Sequence, residues 1–476
     1  MSDKTYDLIV CGAGTAGIPA TIFAARRGAR VLVVEAAPEV GGTLHIAQGQ
    51  ISAAGTRLQA EKGIEDSPDR HYDDIVEITE GRTNKPFARL IADNAADTLH
   101  WLLDIGWRPL PEHPVLFGLR PYSVPRTYWG PEAGVSLVKA LKPVFDEAVA
   151  QHDVTLLTDT EVVDLVRDDD GNVTGVVTRG KDGTTASHAG RYVLLTTGGF
   201  AGGHDFFKEA TGYPLWPTGW PFCKGDGARL AMEAGAELWH RDYFIPRWSA
   251  VENPEKPGKL ARISDTTSRR PAWEIYVTNE GKRFLAEDDD VPLSRERALL
   301  KVPDLTFWVV YDERIRAEAP PLFDQIDPAK VQGWFGRHPS FVRADTLEEL
   351  AEKAGLPVDA LVATVKAYND GVDNGADAFG RKHLPRRIDT APFYAVKHHG
   401  IAATTIPGIS VNEKFQVIRA DGSVIGGLYA TGEILGMGLH SANVFVGGLG
   451  LMPALTYGKL LGERWLDFGD KKASAA

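Results

Sequence analysis

Residues 6–35 form one strand–turn–helix–strand unit with glycines at three fixed places, and that unit commits the chain to a nucleotide-binding α/β fold. Tyr6-Asp7-Leu8-Ile9-Val10-Cys11 is a short apolar run of strand type that feeds straight into Gly12-Ala13-Gly14-Thr15-Ala16-Gly17. A helix-forming stretch, Pro19 to Arg27, follows at once. The first glycine permits a tight turn, the second lets backbone approach a pyrophosphate, and the third allows close packing of helix on strand. Phosphates then lie on the positive end of the helix. A second strand, Ala29 to Val34, ends on Glu35, where a carboxylate accepts both ribose hydroxyls and repels a 2′-phosphate. Gly12, Gly14, Thr15, Ala16, Gly17 and Glu35 are therefore candidate ligands of a dinucleotide.

Composition narrows the partners. With 476 residues and 43% hydrophobic composition, the chain is long enough for about two or three domains. A net charge of −12 argues against nucleic acid. Gly and Pro break the longest apolar stretches, so no transmembrane segment is expected. The first strand starts so near Met1 that no signal peptide is expected, and the expected location is cytoplasmic. Cys11 and Cys223 cannot supply an iron–sulfur ligand set, and no Cys-x-x-Cys-His offers a haem attachment. His398-His399 lack a third ligand at metal spacing. Were the dinucleotide a redox cofactor, its electrons would have to pass to or from an external acceptor or donor.

Further along, Gly41 to Thr56 is small and polar, the composition expected of backbone lying against a ring system. Residues 71–106 read as helices closing at Gly106, Pro109 to Pro131 as an irregular wall rich in Pro, aromatics and Arg, and Val135 to Ala150 as another helix. β-runs begin at Val154, and Tyr192 to Thr197 is a buried-type strand entering Gly198-Gly199. From about Arg241 Trp and Pro become frequent, which marks an inserted second domain over 241–388 between 1–240 and 389–476. Its later part, Leu347 to Tyr368, reads as helical with a Gly-Leu-Pro turn.

Several segments together carry a resemblance that covers nearly the whole chain. They are Gly12 to Gly17, Glu35, Gly41-Gly42, Ala53-Ala54-Gly55-Thr56, Thr197-Gly198-Gly199-Phe200, Asn279 to Phe284, Gly427 to Glu433, His440-Ser441-Ala442-Asn443 and Gly447-Gly448. With them the chain resembles the flavoprotein superfamily of fumarate reductases, succinate dehydrogenase flavoprotein subunits and ketosteroid Δ1-dehydrogenases. The resemblance implies an α/β fold in which a Rossmann-like FAD-binding domain carries an inserted α+β capping domain for substrate. It implies that Gly42, Thr43, Ala54, Gly55, Gly198 and Asn443 join the fingerprint in holding FAD. Glu433 would contact the ribityl chain or phosphates, and Val162 the adenine through backbone. Membrane-bound relatives attach FAD through a His before Ala-Gln-Gly. Here that position falls on about Thr43 and His45 is two residues out of register, so a dissociable, non-covalent FAD is expected.

The implied chemistry moves hydride between a β-carbon and flavin N5, which needs a carbonyl clamp, a proton donor or acceptor and a dry pocket. Fumarate reductases hold two carboxylates with His and Arg residues. Their His-containing segment reads Ala402-Ala403-Thr404-Thr405-Ile406-Pro407-Gly408 here, and their Arg falls on Val444 or Phe445. A dicarboxylate is thereby disfavoured and a neutral or singly charged ketone favoured. In the ketosteroid enzymes a Tyr hydroxyl and a Gly N–H clamp the ketone; the Gly matches Gly448, whereas the Tyr falls on Val444 and the base Tyr near Val291 or Leu293. Arg295 matches the proton-relaying Arg of the reductases, with a solvated Arg at a helix start as the alternative. Arg270 matches another relay member, whose partner Glu position reads Thr267. Tyr122 and Tyr128 stand in the wall segment where ketosteroid enzymes place an active-site Tyr, with packing as their alternative. His440 either touches cofactor or substrate or only positions its loop. The expected function is FAD-dependent α,β-dehydrogenation of a cyclic ketone, a 3-ketosteroid or a cyclohexanone-like ring. A fumarate reductase-like ene or enoate reductase is the alternative, and a non-catalytic flavoprotein is the third reading.

Overall fold

The computed structural model describes residues 5–118, 120–214, 216–243, 246–256, 260–261, 263, 270–289, 292–323 and 325–469. Its contacts divide the chain into two units. The first comprises Met1–Gly212, Gly219–Phe244 and Thr404–Ala476, the second Tyr213–Thr218 and Ile245–Ala403.

In the first unit, strand β1 (Thr5–Cys11) runs parallel between β2 (Val31–Val34) and the strand Thr185–Leu195. Val424–Ala430 and Val154–Leu157 extend the parallel sheet on its two sides. Leu8, Ile9, Val10, Val31, Leu32 and Val33 are fully buried, as a parallel sheet covered on both faces requires. Helix α1 (Gly17–Arg26) is almost wholly buried. The helix Met452–Leu460 and the turn after it approach α1 through glycines: a Cβ on Gly458 would stand 2.2 Å from the Ala16 carbonyl, and one on Gly462 2.3 Å from that of Ala20.

The carboxyl ends of the parallel strands are tied to one another. Gly12 N–H donates to Val34 O, Glu35 N–H to Leu157 O, Thr196 N–H to Cys11 O and Thr431 N–H to Leu195 O. The glycine turn, Glu35, Thr196-Thr197-Gly198 and Gly432-Glu433 are thereby gathered at the sheet edge where open α/β sheets bind ligands. The wall segment is irregular apart from Thr127–Tyr128, which pairs with Ile51–Ser52.

The second unit is built on the strand Phe393–Ala402. It pairs with Thr306–Asp312, Phe341–Ala344 and Arg247–Glu252 antiparallel, and with Trp216–Pro217 in parallel. That strand corrects the expected end of the insertion, which lies at Ala403 rather than 388. Parallel pairing of Trp216–Pro217 with Ile401–Ala402 also draws Tyr213–Thr218 out of the first unit, an excursion the composition does not signal. The helices Leu347–Ala354 and Val358–Asn374 are separated at Gly355, which caps the first in the left-handed region at φ +69°.

A buried ion network closes this unit. Arg283 donates to both oxygens of Glu287, at 2.7 and 2.5 Å, and pairs with Asp377. Arg381 reaches Glu287 at 3.1 Å and the carbonyls of Glu274 and His383 at 2.7 Å each, and also bonds the Ala272 carbonyl. Arg381 and Glu287 side chains are fully buried. Removing one member leaves charge and carbonyls unpaired in the interior, which costs about 3–5 kcal/mol. Arg381→Ala should therefore destabilise the protein by about that amount, read as an earlier urea unfolding midpoint.

Candidate active site

Close backbone contact, with no room for side chains, shapes the fingerprint. Gly12 has φ +107°, and a Cβ there would stand 2.6 Å from Thr196 O. A Cβ on Gly17 would lie 1.9 Å from Gly12 O, so the third glycine is needed for helix-on-strand packing. Gly14 and Gly42 face each other, and a Cβ on Gly42 would approach Gly14 Cα to 3.2 Å. Bare backbone thus borders a cavity lined by Gly12, Gly14, Thr15, Ala16, Glu35, Gly42, Thr43, Val162, Gly198 and Glu433, all named from the sequence. Four other predicted cofactor residues do not border it. Gly17 is turned to Gly12 O, Ala54 is fully buried, Gly55 faces Asp66 and Pro68, and Asn443 stands on the 440–448 loop. The buried Asn443 Oδ1 has no protein partner among the described residues.

Sequence reasoning missed one whole side of the cavity, formed by Trp220, Phe222, Cys223, Asp226, Gly227 and Leu230. The signal was Gly225-Asp226-Gly227 opening the helix Asp226–Glu233; a Cβ on Gly227 would strike Thr197 Oγ1 at 2.1 Å. Burial pushes the Cys223 thiol up to about 12, so it stays protonated, with Thr43 Oγ1 at 3.8 Å.

Among the carboxylates that border the cavity, Glu35 and Glu433 come from opposite ends of the chain. Glu35 Oε2 accepts Ala13 N–H at 2.7 Å and Oε1 accepts Ala37 N–H at 2.8 Å. Burial raises its pKa against the pull of those bonds. Each carboxylate oxygen keeps a second acceptor site for a ribose hydroxyl. Glu433 Oε1 accepts Thr405 N–H at 3.0 Å, and Thr405 Oγ1 in turn accepts Phe200 N–H at 2.8 Å. Burial raises the Glu433 pKa as well. A backbone cradle, a helix N-terminus and hydroxyl-accepting carboxylates fit a dinucleotide of the FAD kind. Thr43, which cannot form a flavin link, borders the cavity. His45 does not; its Nε2 is 3.0 Å from Val40 O and its ring stacks on Trp220 at 5.3 Å.

The catalytic candidates fall into four settings. Tyr122 and Tyr128 are buried in the first unit, and their hydroxyls bond Gly447 O at 2.7 Å and Thr56 Oγ1 at 2.6 Å. Burial raises both phenol pKa values. His440 Nε2 lies 2.8 Å from Tyr457 OH, which donates to Phe87 O at 2.9 Å, so the network assigns the proton to Nε2. Burial pushes this histidine down to about 3, and it stays neutral. Gly448 has φ +80° and rests on Ser52, whose N would lie 2.4 Å from a Cβ. Arg295 belongs to the second unit, on the helix Pro292–Leu299, where it is 3% exposed with its guanidinium 5.6 Å from the Trp248 ring centre. It is not the solvated arginine of the alternative reading. Thr267 and Val291 lie outside the described residues. Arg270 nonetheless has a buried carboxylate partner, Glu274, in a two-pronged pair with one bond at 3.0 Å. Among the described residues no group of His, Cys, Asp and Glu could hold a metal ion, and no helix is long and apolar enough to cross a membrane.

Fold and cavity together define an FAD-dependent oxidoreductase. The chain belongs to the FAD binding domain family, whose profile matches residues 7–448. It is 28% identical to a probable fumarate reductase of Shewanella frigidimarina (strain NCIMB 400), over 97% of this chain and 74% of that protein. The open conformation of a flavocytochrome c3 fumarate reductase superposes with a TM-score of 0.73 at 27% identity, covering 98% of this chain and 78% of that one. The 3-ketosteroid-Δ4-(5α)-dehydrogenase of Rhodococcus jostii RHA1 superposes with a TM-score of 0.63 at 25% identity, covering 98% and 97%. The resemblance read from the motifs is thereby confirmed.

Ribose hydroxyls donating to Glu35 would favour its charged form, so its pKa would be lower with FAD bound than without. FAD affinity should therefore fall as pH drops through the raised value of the free site, which lies above the ordinary glutamate value of 4.5. Fluorescence of released flavin across a pH series measures this. Glu35→Gln should weaken binding by about tenfold to a hundredfold and flatten the pH dependence.

Proposed function

We propose that the protein is a CH–CH dehydrogenase that introduces an α,β double bond into a neutral cyclic ketone, a 3-ketosteroid or a cyclohexanone-like ring. One observation carries this reading. Where the fumarate reductases place a carboxylate-binding Arg, this chain has Val444-Phe445, and Phe445 packs with Phe117 at 6.1 Å, which packs with Trp129 at 5.3 Å. A carboxylate seated against those aromatic rings would exchange its hydration for hydrocarbon surface. A hydrocarbon ring instead gains roughly 25 cal/mol for each Å² it buries. Bound non-covalently, FAD supplies the acceptor for hydride from the β-carbon. The Gly448 N–H is assigned the ketone oxygen, where it stabilises enolate-like charge as the α-proton leaves. Arg295 is the candidate for relaying that proton. The electrons then leave for an acceptor outside the chain.

Reduction of an enone or enoate by the same parts is the second reading, and the buried charges of the second unit favour it. Arg295 lies over Trp248, whose ring is 5.9 Å from that of Tyr276. Burial raises the Tyr276 phenol pKa, with the Glu274 charge adding to the rise and Arg270 and Arg295 opposing it. An arginine can deliver a proton only when another group resupplies it. The Arg270–Glu274 pair offers that group in place of the carboxylate missing at Thr267.

Anaerobic titration of the yellow holoenzyme separates the readings. Cyclohexanone or a 3-ketosteroid should bleach the flavin and succinate should not. If saturated ketones leave it yellow while enones reoxidise the dithionite-reduced enzyme, the reductase reading replaces the first. In either direction Arg295→Met should slow flavin reduction or reoxidation at least about a hundredfold with FAD content unchanged. Near-normal rates would remove Arg295 from the mechanism.

A further inference from the structure

Tyr122 holds a place where a proton acceptor would be sought, yet its surroundings keep it a donor. It is 2% exposed, and its hydroxyl donates to Gly447 O at 2.7 Å. That donation leaves the Ser52 hydroxyl, 3.2 Å away, to donate to the phenol oxygen. Arg126 fixes the ring from one side, its guanidinium 4.8 Å from the ring centre. Arg126 is itself fully buried and anchored by Asp66 at 2.8 Å and Asp74 at 2.9 Å. The phenol therefore has a set position and a single acceptor.

That acceptor has a consequence one atom further on. Gly447 C=O and Gly448 N–H belong to one peptide unit, and the cis peptides of this structure are at Pro114 and Pro392, not here. In a trans peptide the two groups point in opposite directions. A carbonyl held toward Tyr122 turns the Gly448 N–H away from it. Among the described residues no protein group accepts from that N–H. Donation into the carbonyl also polarises the amide and strengthens its N–H as a donor.

We infer that Tyr122 is a positioning residue that sets the direction and strength of the Gly448 N–H toward the substrate carbonyl, and does not take the α-proton. The inference rests on the reading of Gly448 as the carbonyl clamp.

The test uses cyclohex-2-enone bound to oxidised holoenzyme, with its carbonyl stretch read by isotope-edited difference infrared spectroscopy. In the wild type the frequency should drop on binding. Tyr122→Phe keeps the ring and its contact with Arg126. It should lose much of that drop and lower kcat/KM about tenfold to a hundredfold, with FAD content and the shape of the pH profile unchanged. Ser52→Ala, which loosens the phenol, should move both readouts less and in the same direction. Wild-type frequency and kcat/KM in both variants would overturn the inference. Loss of a titrating limb from the pH profile of Tyr122→Phe would overturn it too, by making Tyr122 the base. If the wild type itself leaves the enone frequency unmoved, the Gly448 clamp fails, and the inference with it.

Discussion

The contact between Gly12 and the Thr196 carbonyl is the constraint on which the cofactor cavity depends. Two parallel strands, β1 and Thr185–Leu195, end side by side, and their turns touch backbone to backbone where a Cβ would stand at 2.6 Å. Nothing larger than hydrogen fits between them. Once that distance is set, Gly17 brings α1 down on the carbonyl group of Gly12 itself, and Glu35 reaches across to Ala13 N–H. The cavity edge is thus an assembly of peptide groups, pre-positioned to meet phosphates and hydroxyls.

Charge is distributed unevenly in the molecule, and the distribution has chemical meaning. In the first unit the 444–445 position carries an aliphatic and an aromatic side chain. Its buried Arg126 is consumed by Asp66 and Asp74. In the second unit Arg270, Arg283, Arg295 and Arg381 are all buried, three of them with identified carboxylate partners. Buried ion pairs are weak sources of stability when compared with apolar packing. In this unit they also hold backbone carbonyls, those of Pro320, Glu274 and Ala272 among them.

The sequence was most legible where spacing reflects backbone geometry. The glycines, the acidic strand end and the Gly-Leu-Tyr-Ala-Thr-Gly-Glu segment each correspond to a position where a side chain would collide or a carboxylate is required, so ten cavity residues could be named in advance. Legibility failed where three-dimensional pairing decides. Trp220 to Leu230 approach the cavity because Gly202 and Gly219 let two loops touch. Composition cannot tell that Phe393–Ala402 pairs with 306–312, so the insertion appeared to end too early. Nothing in the sequence marks Glu274 as the partner of Arg270, because the relatives' acid position falls on Thr267. The sequence puts Tyr122 in the wall segment, but the direction of its hydroxyl depends on a glycine 325 residues away.

The first unit is assembled from three stretches of chain, and its central strand Thr185–Leu195 pairs on one side with β1 and on the other with Val424–Ala430. During synthesis on the ribosome, the N-terminal fingerprint emerges early and must wait for more than half the polypeptide before Gly432 and Glu433 arrive to complete the cavity. The second unit is fully translated before then and can fold as a body within an unfinished host. The cavity is thereby left incomplete until the third stretch has been made, and a chain that stops short of it lacks Gly432 and Glu433.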